Sequence, residues 1–317
     1  MSNSGQRIVI IGGAGFQGSH LAERWLELGH RITILNTFSE EALANITSLA
    51  NRVTVVWGSI TDPEIVEKTV RGHDVVVHLA ARIHVDESID NPTSYTLVNV
   101  LGTHNVLEAV RKIGSRLIYA SSCEVYGFHS EGATPETAEL RPHSPYAASK
   151  AAADRMCFAY WKTYHCNVTI VRPCNIYGPR QKSGRGGAVI PIFVDRALGL
   201  QDLIVHGTGE QRREYMHVDD LVSAYDKILN TTDLQGEAVN FGTGETPSIK
   251  EVAHFIASKL GTSVQYGPGR AGEVEGFVLD CSKARQLGFT PAVRFWEGLE
   301  RYIEWKMSLS SVKKSSL

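Results

Sequence analysis

The chain has 317 residues, 43% of them hydrophobic, enough for one large core or two modest ones. Its 32 basic and 34 acidic side chains leave a formal charge of -2, so no general field draws nucleic acid or a membrane surface, and any anion must be met by local clusters. The five cysteines never occur as C-x-x-C and lack the spacing of a zinc site, which predicts no structural metal and reduced thiols in a cytoplasmic protein. The start, MSNSGQRIVIIGG, lacks a signal-peptide pattern, and no apolar run approaches the roughly eighteen residues that span a bilayer.

From Arg7 the chain alternates β-branched runs with helical patterns: RIVIIG, LAERWLELG, RITIL, VTVVWG, DVVVHLA, a long helix over VNVLGTHNVLEAVRKIG, then RLIYASS. Strand and helix in turn predict an α/β fold, a Rossmann-like doubly wound parallel sheet covered on both faces. Gly12, Gly15 and Gly18 follow the first strand and open the first helix. Without side chains there, the backbone approaches a pyrophosphate whose charge sits at the helix N-terminus, so a dinucleotide is expected. Asn36 ends the second strand, where an acid would accept the ribose hydroxyls and repel a 2′-phosphate. No basic residue lies within 35–41, and Glu40 and Glu41 stand close by, which favours NAD over NADP.

Two segments further on carry chemistry: SSCEVYG, with Ser122 and Glu124, and SPYAASK, with Tyr146 and Lys150. A tyrosine four residues ahead of a lysine shares a helix face with it, so the ammonium and an oxidised nicotinamide are expected to lower the phenol's pKa. Tyr146 then becomes a general base near neutral pH, able to take hydrogen from a sugar. Such spacing also arises by chance in many helices; the company of Ser122, Glu124 and the glycine turn gives it weight.

After VTIVRP, ending at Pro173, the stretch NIYGPRQKSGRGGAVIP is rich in Gly and basic residues and carries little periodicity. It marks the start of a smaller C-terminal substrate-binding lobe. REYMHVDDLVSAYDKIL resumes a helix capped near Asp219 and Asp220, and VNFGTGETPSIKEVAHFIASKLG gives strand, loop and helix. The expected organisation is a dinucleotide-binding domain over 1–173 plus 212–242, a substrate lobe over 174–211 plus 243–307, and a flexible tail over 308–317.

IGGAGFQGSHLAERWLELG, HLAARIHVDESIDNP, NVLGTHNVLEA, SSCEVYG, SPYAASKAAAD, RPCNIYGPRQ, REYMHVDDL and the RAGEV to DCSKARQLGF stretch together resemble the extended short-chain dehydrogenase/reductases, specifically the nucleotide-sugar epimerases and dehydratases. The resemblance runs from about Arg7 to Lys306. It implies a tightly bound NAD that is reduced and reoxidised within one turnover, a nucleotide-diphosphate sugar as substrate, and a homodimer formed through helices near Asn99 to Ile113 and Tyr146 to Tyr164. Residue by residue it implies that Tyr146 takes the proton of the sugar 4-hydroxyl, Ser122 bonds to the same oxygen, and Lys150 holds the nicotinamide ribose. Phe16, Gln17, Leu79, Ala80 and Ala81 would line the dinucleotide, with Asn99 as a structural asparagine near it. Ser59 and Ile60 sit where relatives often have Asp-Ile to hold adenine, and the shorter Ser59 weakens that contact. Asn175, Arg213 and Arg270 fall at the diphosphate contacts, where guanidinium forks suit paired charged hydrogen bonds. His84, in the HVDxSI pattern, and Arg180 would face the substrate, Arg180 within a basic run with Lys182 and Arg185.

Once C4 is a ketone, the reaction depends on what faces the ring. The resemblance implies a nucleotide-sugar dehydratase of the 4,6 or 5,6 type, with Glu124 removing the C5 proton and Cys123 or a water assisting loss of the 6-hydroxyl. Cys123 departs from the Asp usual in 4,6-dehydratases, and Ser-Cys-Glu resembles the hexosamine 5,6-dehydratases. The alternatives are a UDP-hexose type 4-epimerase, which needs no base at C5, and a UDP-uronate decarboxylase, for which Arg82 and Arg185 remain unassigned. For Cys123 the plain alternative is a small buried hydrophobe.

Overall fold

The computed structural model describes residues 5–128, 132–184, 187–269, 276 and 278–315, with side chains as far as Leu309. The first half alternates strands and helices: β1 (Arg7–Ile11), α1 (Phe16–Glu27), β2 (Arg31–Asn36), α2 (Glu40–Ile46), β3 (Thr54–Trp57), α3 (Pro63–Val70) and β4 (Val75–His78). Short helices α4 (Val85–Asp90) and α5 (Pro92–Tyr95) and a π-helical stretch (Thr96–Leu101) lead into α6 (Gly102–Ile113). Then follow β5 (Arg116–Ala120), the 3₁₀ turn Cys123–Tyr126, β6 (Ala133–Thr134), α7 (Pro145–Tyr164) and β7 (Val168–Pro173). The remainder contains β8 (Asn175–Tyr177), α8 (Val189–Leu198), β9 (Leu203–His206), β10 (Tyr215–His217), α9 (Val218–Asn230) and β11 (Ala238–Phe241). It closes with α10 (Ile249–Leu260), β12 (Val264–Gly267), β13 (Val278–Leu279), α11 (Ser282–Gln286) and α12 (Phe295–Ser315).

Seven strands form one parallel sheet in the order β11-β7-β5-β4-β1-β2-β3. The order reverses at β1, so the crevice for a ligand opens beyond its carboxyl end. Side chains alternate across the sheet as the pleat requires. Ile8 and Ile10 join Leu21, Trp25, Leu221 and Tyr225 from α1 and α9 on one face. Val9 and Ile11 join Val66, Val106, Leu107 and Ala153 from α3, α6 and α7 on the other. A third apolar cluster gathers α8, β9, α10 and α12 around Phe193, Val205, Val252 and Leu299, the core of a smaller lobe beside the sheet.

Local chemistry sets the helix ends. Ser39 caps α2 by accepting from the Ala42 amide. Asp62 and Ser144 cap α3 and α7, each followed by a proline in the first turn, and Ser248 and Glu251 form a capping box on α10. Two expectations need correction. The long helix does not start cleanly near Asn99, because a π-helical stretch precedes α6. The 308–317 tail, expected to be flexible, is helical as far as Ser315: Leu299, Tyr302 and Ile303 anchor α12 in the core, and each further turn propagates from a nucleus already formed.

Candidate active site

The turn between β1 and α1 is built for close approach. Gly12 has φ +90, and a Cβ there would lie 2.7 Å from the Ala80 amide nitrogen. At Gly18 a Cβ would lie 2.3 Å from the Gly12 carbonyl oxygen. Gly15 caps α1 without a side-chain bond, and the first turn holds no acid, so the amide ends of α1 are left to an anion. Leu79 and Ala80 both donate their amides to the Ile11 carbonyl, at 2.8 and 2.9 Å, which sets this backbone against the glycine turn. Asn99, 1% exposed, fixes the next loop: its Oδ1 accepts from the Arg82 amide at 2.8 Å, and its Nδ2 donates to the Arg82 carbonyl and to Ser149 Oγ on α7. The strand, turn and helix therefore fit a dinucleotide pyrophosphate.

At the carboxyl ends of β5 and α7's first turns the reactive side chains converge. Ser122 precedes the 3₁₀ turn and accepts from the Glu124 amide at 3.2 Å. Tyr146 is enclosed, with the Tyr95 ring edge-on at 6.4 Å. Burial pushes the Tyr146 phenol above its ordinary 10.0, a hydrogen bond with Ser122 opposes this, and the negative charge of Glu124 adds to it. Lys150, one turn along α7, donates to the Ala120 carbonyl and lies 4.6 Å from the Tyr119 ring centre; burial lowers its ammonium to about 8. In the protein alone desolvation dominates the Tyr146 phenol, and the lowering expected of Lys150 calls for the oxidised nicotinamide as well. The pyridinium of NAD would supply a positive charge beside the phenol.

Glu124 is half-buried, and burial raises its carboxyl above the usual range, with the charges of Arg213 and His143 opposing. Cys123 lies against the same group, its thiol bonded to the Ser122 hydroxyl and within reach of the charges of Glu124, Glu214 and Arg213. It is 2% exposed within the apolar cluster of Val125, Tyr126, Cys174 and Cys281, and burial pushes its thiol far above the ordinary value. That placement matches the plain alternative of a small buried hydrophobe.

Arg213 comes within electrostatic reach of Glu124, while Asn175 Nδ2 donates to the Glu214 carbonyl at 3.1 Å, beside Arg213. Glu214 itself is buried and accepts from the Gly244 and Leu279 amides at 2.7 and 2.9 Å, pinning this edge of the smaller lobe. His84 caps α4 at its amino end, its carbonyl accepts from the Tyr95 hydroxyl at 2.6 Å, and Lys182 lies close enough to act on its charge. Arg180 is not brought to this group; it pairs with Glu23 of α1 at 2.5 Å, because residues 178–181 fold back over that helix, with His20 bonded to the Pro179 carbonyl. Arg270 and Arg185 lie outside the described residues. His143 and Tyr95 escaped the sequence reading. His143 stands three residues before Tyr146, a signal that was available; nothing local marks Tyr95.

The model of the NAD dependent epimerase/dehydratase family matches residues 8–242. The chain belongs to this family. It is 36% identical over 315 residues to a dTDP-glucose 4,6-dehydratase of Streptomyces niveus, covering 94% of this chain and 92% of that one. A putative UDP-glucose 4-epimerase of Methanocaldococcus jannaschii is 35% identical over 303 residues, covering 94% and 97%. Among solved structures, the dTDP-glucose 4,6-dehydratase of Streptomyces venezuelae with NAD and TYD bound superposes with a TM-score of 0.90 at 34% identity, covering 95% and 97%. The protein is therefore an NAD-dependent enzyme of the nucleotide-sugar dehydratases and epimerases, on a Rossmann-like parallel sheet. Among the described residues, no helix is long and apolar enough to cross a membrane.

Proposed function

We propose that this enzyme is a nucleotide-sugar dehydratase. The observation that carries the reading is Glu124: a half-buried carboxyl with a raised pKa, beside Ser122 and Tyr146, where an enzyme that only inverts C4 has no use for a base. Bound NAD supplies the acceptor and later the donor of a hydride. Tyr146 takes the proton of the 4-hydroxyl while Ser122 bonds the same oxygen and Lys150 holds the nicotinamide ribose. With C4 a ketone, Glu124 removes the acidified C5 proton. The electron pair left on C5 forms the C5–C6 double bond as the C6–O bond breaks, and the departing hydroxide takes the proton from Glu124 as water. Glu124 thus ends as a carboxylate. For the 4,6 outcome a hydride would return to C6 while the proton held by Tyr146 passes by way of solvent to C5; for the 5,6 outcome a hydride would return to C4 and Tyr146 would give its proton back to the 4-oxygen.

This assigns the acid step to Glu124 and not to Cys123, whose thiol is held to its proton by burial and by the carboxylates of Glu124 and Glu214. Arg213 and Asn175 are assigned to the diphosphate, and the lobe over 174–211 plus 243–307 to the nucleotide sugar. Substituting Glu124→Gln and reading products by mass tests the proposal. The wild type should release water from a nucleotide hexose, and the variant should lose that activity at least a hundredfold. Unchanged mass with altered chromatography, insensitive to Glu124→Gln, would assign the enzyme to epimerisation instead; loss of carbon dioxide from a uronate would assign it to decarboxylation.

We also infer a homodimer and a cytoplasmic setting. Leu97 and Leu101 on the π-helical stretch and Phe158 and Tyr164 on α7 are 49, 44, 38 and 52% exposed, an apolar surface suited to a second copy. All five thiols are free and buried, as suits a reducing compartment. Sedimentation should give a dimer that Leu101→Asp dissociates; a monomeric wild type would refute it.

A further inference from the structure

The carboxyl ends of β2 and β3 form the adenosine edge of the crevice. Two positions there would ordinarily read the adenosine through a side-chain oxygen, and in this chain both are engaged within the protein. Asn36 Oδ1 accepts from the Ala14 amide at 3.2 Å, and its Nδ2 donates to the Thr37 carbonyl at 2.8 Å. Ser59 Oγ bonds Thr61 Oγ1 at 2.8 Å and accepts from the Thr61 amide at 3.2 Å. What the same edge presents to solvent is aromatic. Phe38 is 63% and Trp57 37% exposed, with ring centres 5.3 Å apart and planes at 83°. Trp57 is the register partner of Asn36, so its side chain leaves the same face of the sheet, and Phe38, two residues past Asn36, packs against it. The two rings touch one another, so the apolar surface they leave in water is one continuous patch at this edge.

We propose that the Phe38–Trp57 pair presents an aromatic face to the adenine ring of the dinucleotide, so that this enzyme holds the adenosine half of its cofactor by stacking on that platform and not by a carboxylate. Every base offers a π face, and one aromatic platform strengthens binding by roughly tenfold. Asn36 and Ser59 then shape the backbone under the base without reading it. The site calls for a planar, uncharged purine bearing a ribose.

The test is equilibrium binding to the full chain freed of its cofactor, titrated with NAD and, separately, with nicotinamide mononucleotide, which lacks adenosine. Phe38→Ala and Trp57→Ala should each weaken NAD about tenfold and leave the mononucleotide unchanged, while Phe38→Tyr and Trp57→Phe should restore NAD binding. Asn36→Ala should cost NAD less than either aromatic loss. NAD affinity unchanged in both alanine variants would overturn the proposal. So would a parallel loss of mononucleotide affinity, since the rings would then act through the glycine turn.

Discussion

Arg172 and Asp154 form a two-point ion pair beneath the reactive side chains, Nε to Oδ2 at 2.9 Å and Nη2 to Oδ1 at 2.8 Å, with 1 and 0% of their side chains exposed. Asp154 lies one turn beyond Lys150 on α7, and Arg172 lies on β7. Arg172 Nη1 also donates to the Tyr126 hydroxyl at 2.8 Å, which in turn donates to Asn240 Oδ1 at 2.7 Å. One guanidinium therefore joins the helix of Tyr146 and Lys150 to the turn of Cys123 and Glu124. Removing one member of such a buried pair leaves a charge without its partner, which costs about 3–5 kcal/mol.

Asp154→Asn should accordingly lower stability by about that amount at pH 7 in denaturant unfolding. Burial alone would raise the Asp154 pKa, but the hydrogen bonds and charge of Arg172 outweigh it and hold the carboxyl below 3.8. A depressed carboxylate stabilises fully above the unfolded value, and that contribution fades as pH falls through the folded one. The gap between wild type and variant should therefore narrow in acid. A gap constant down to pH 2 would contradict the assignment.

Glu124 must be ionised to act as a base, and burial raises its pKa above 4.5 while Arg213 and His143 pull it down. The acid limb of kcat/KM should lie above the ordinary carboxylate range. Arg213→Gln should move that limb to higher pH, besides weakening substrate binding. A limb that stays in place or moves lower would separate Arg213 from Glu124.

Lys150 is buried, and its ammonium is lowered from 10.5 to about 8. The unfolded chain holds that proton more tightly, so the lysine destabilises the fold below pH 8, and the penalty fades between about 8 and 10.5. At pH 7 it amounts to roughly 3 kcal/mol, less the bond to the Ala120 carbonyl. Lys150→Met should raise Tm by a few degrees while abolishing turnover, a combination that thermal unfolding and a product assay check together. A lower Tm would show that the carbonyl bond outweighs the buried charge.

Cys123 sits among apolar neighbours, so Cys123→Ala should cost stability by about 1–2 kcal/mol through lost packing while turnover stays within about fivefold. A hundredfold loss of water elimination with the fold intact would return the acid role to the thiol.

The sequence announced what is local. Gly12 and Gly18 sit within a few residues of the strand and helix they join, so their spacing alone points to the close approach seen at Ala80 and Gly12. Tyr146 and Lys150 are one helical turn apart, and their shared face follows from the period. The burial of Cys123 was not legible, because the turn after Ser122 is a 3₁₀ segment and its side chains follow no alternation. Nor was the ionic joint, whose partners stand 18 residues apart on different elements. The inward engagement of Asn36 depends on where the Ala14 amide comes to rest, which only the folded turn decides.

The return strand β11 has a consequence for biosynthesis. It arrives late in the chain to cover β7, a strand of which every residue is buried once the sheet is complete. Until Phe241 has left the ribosome, β7 remains an open, apolar, parallel edge of the kind that templates pairing between chains. Premature termination between Pro173 and Ala238 therefore yields a product with an adhesive border, and a nascent chain paused there depends on chaperone cover.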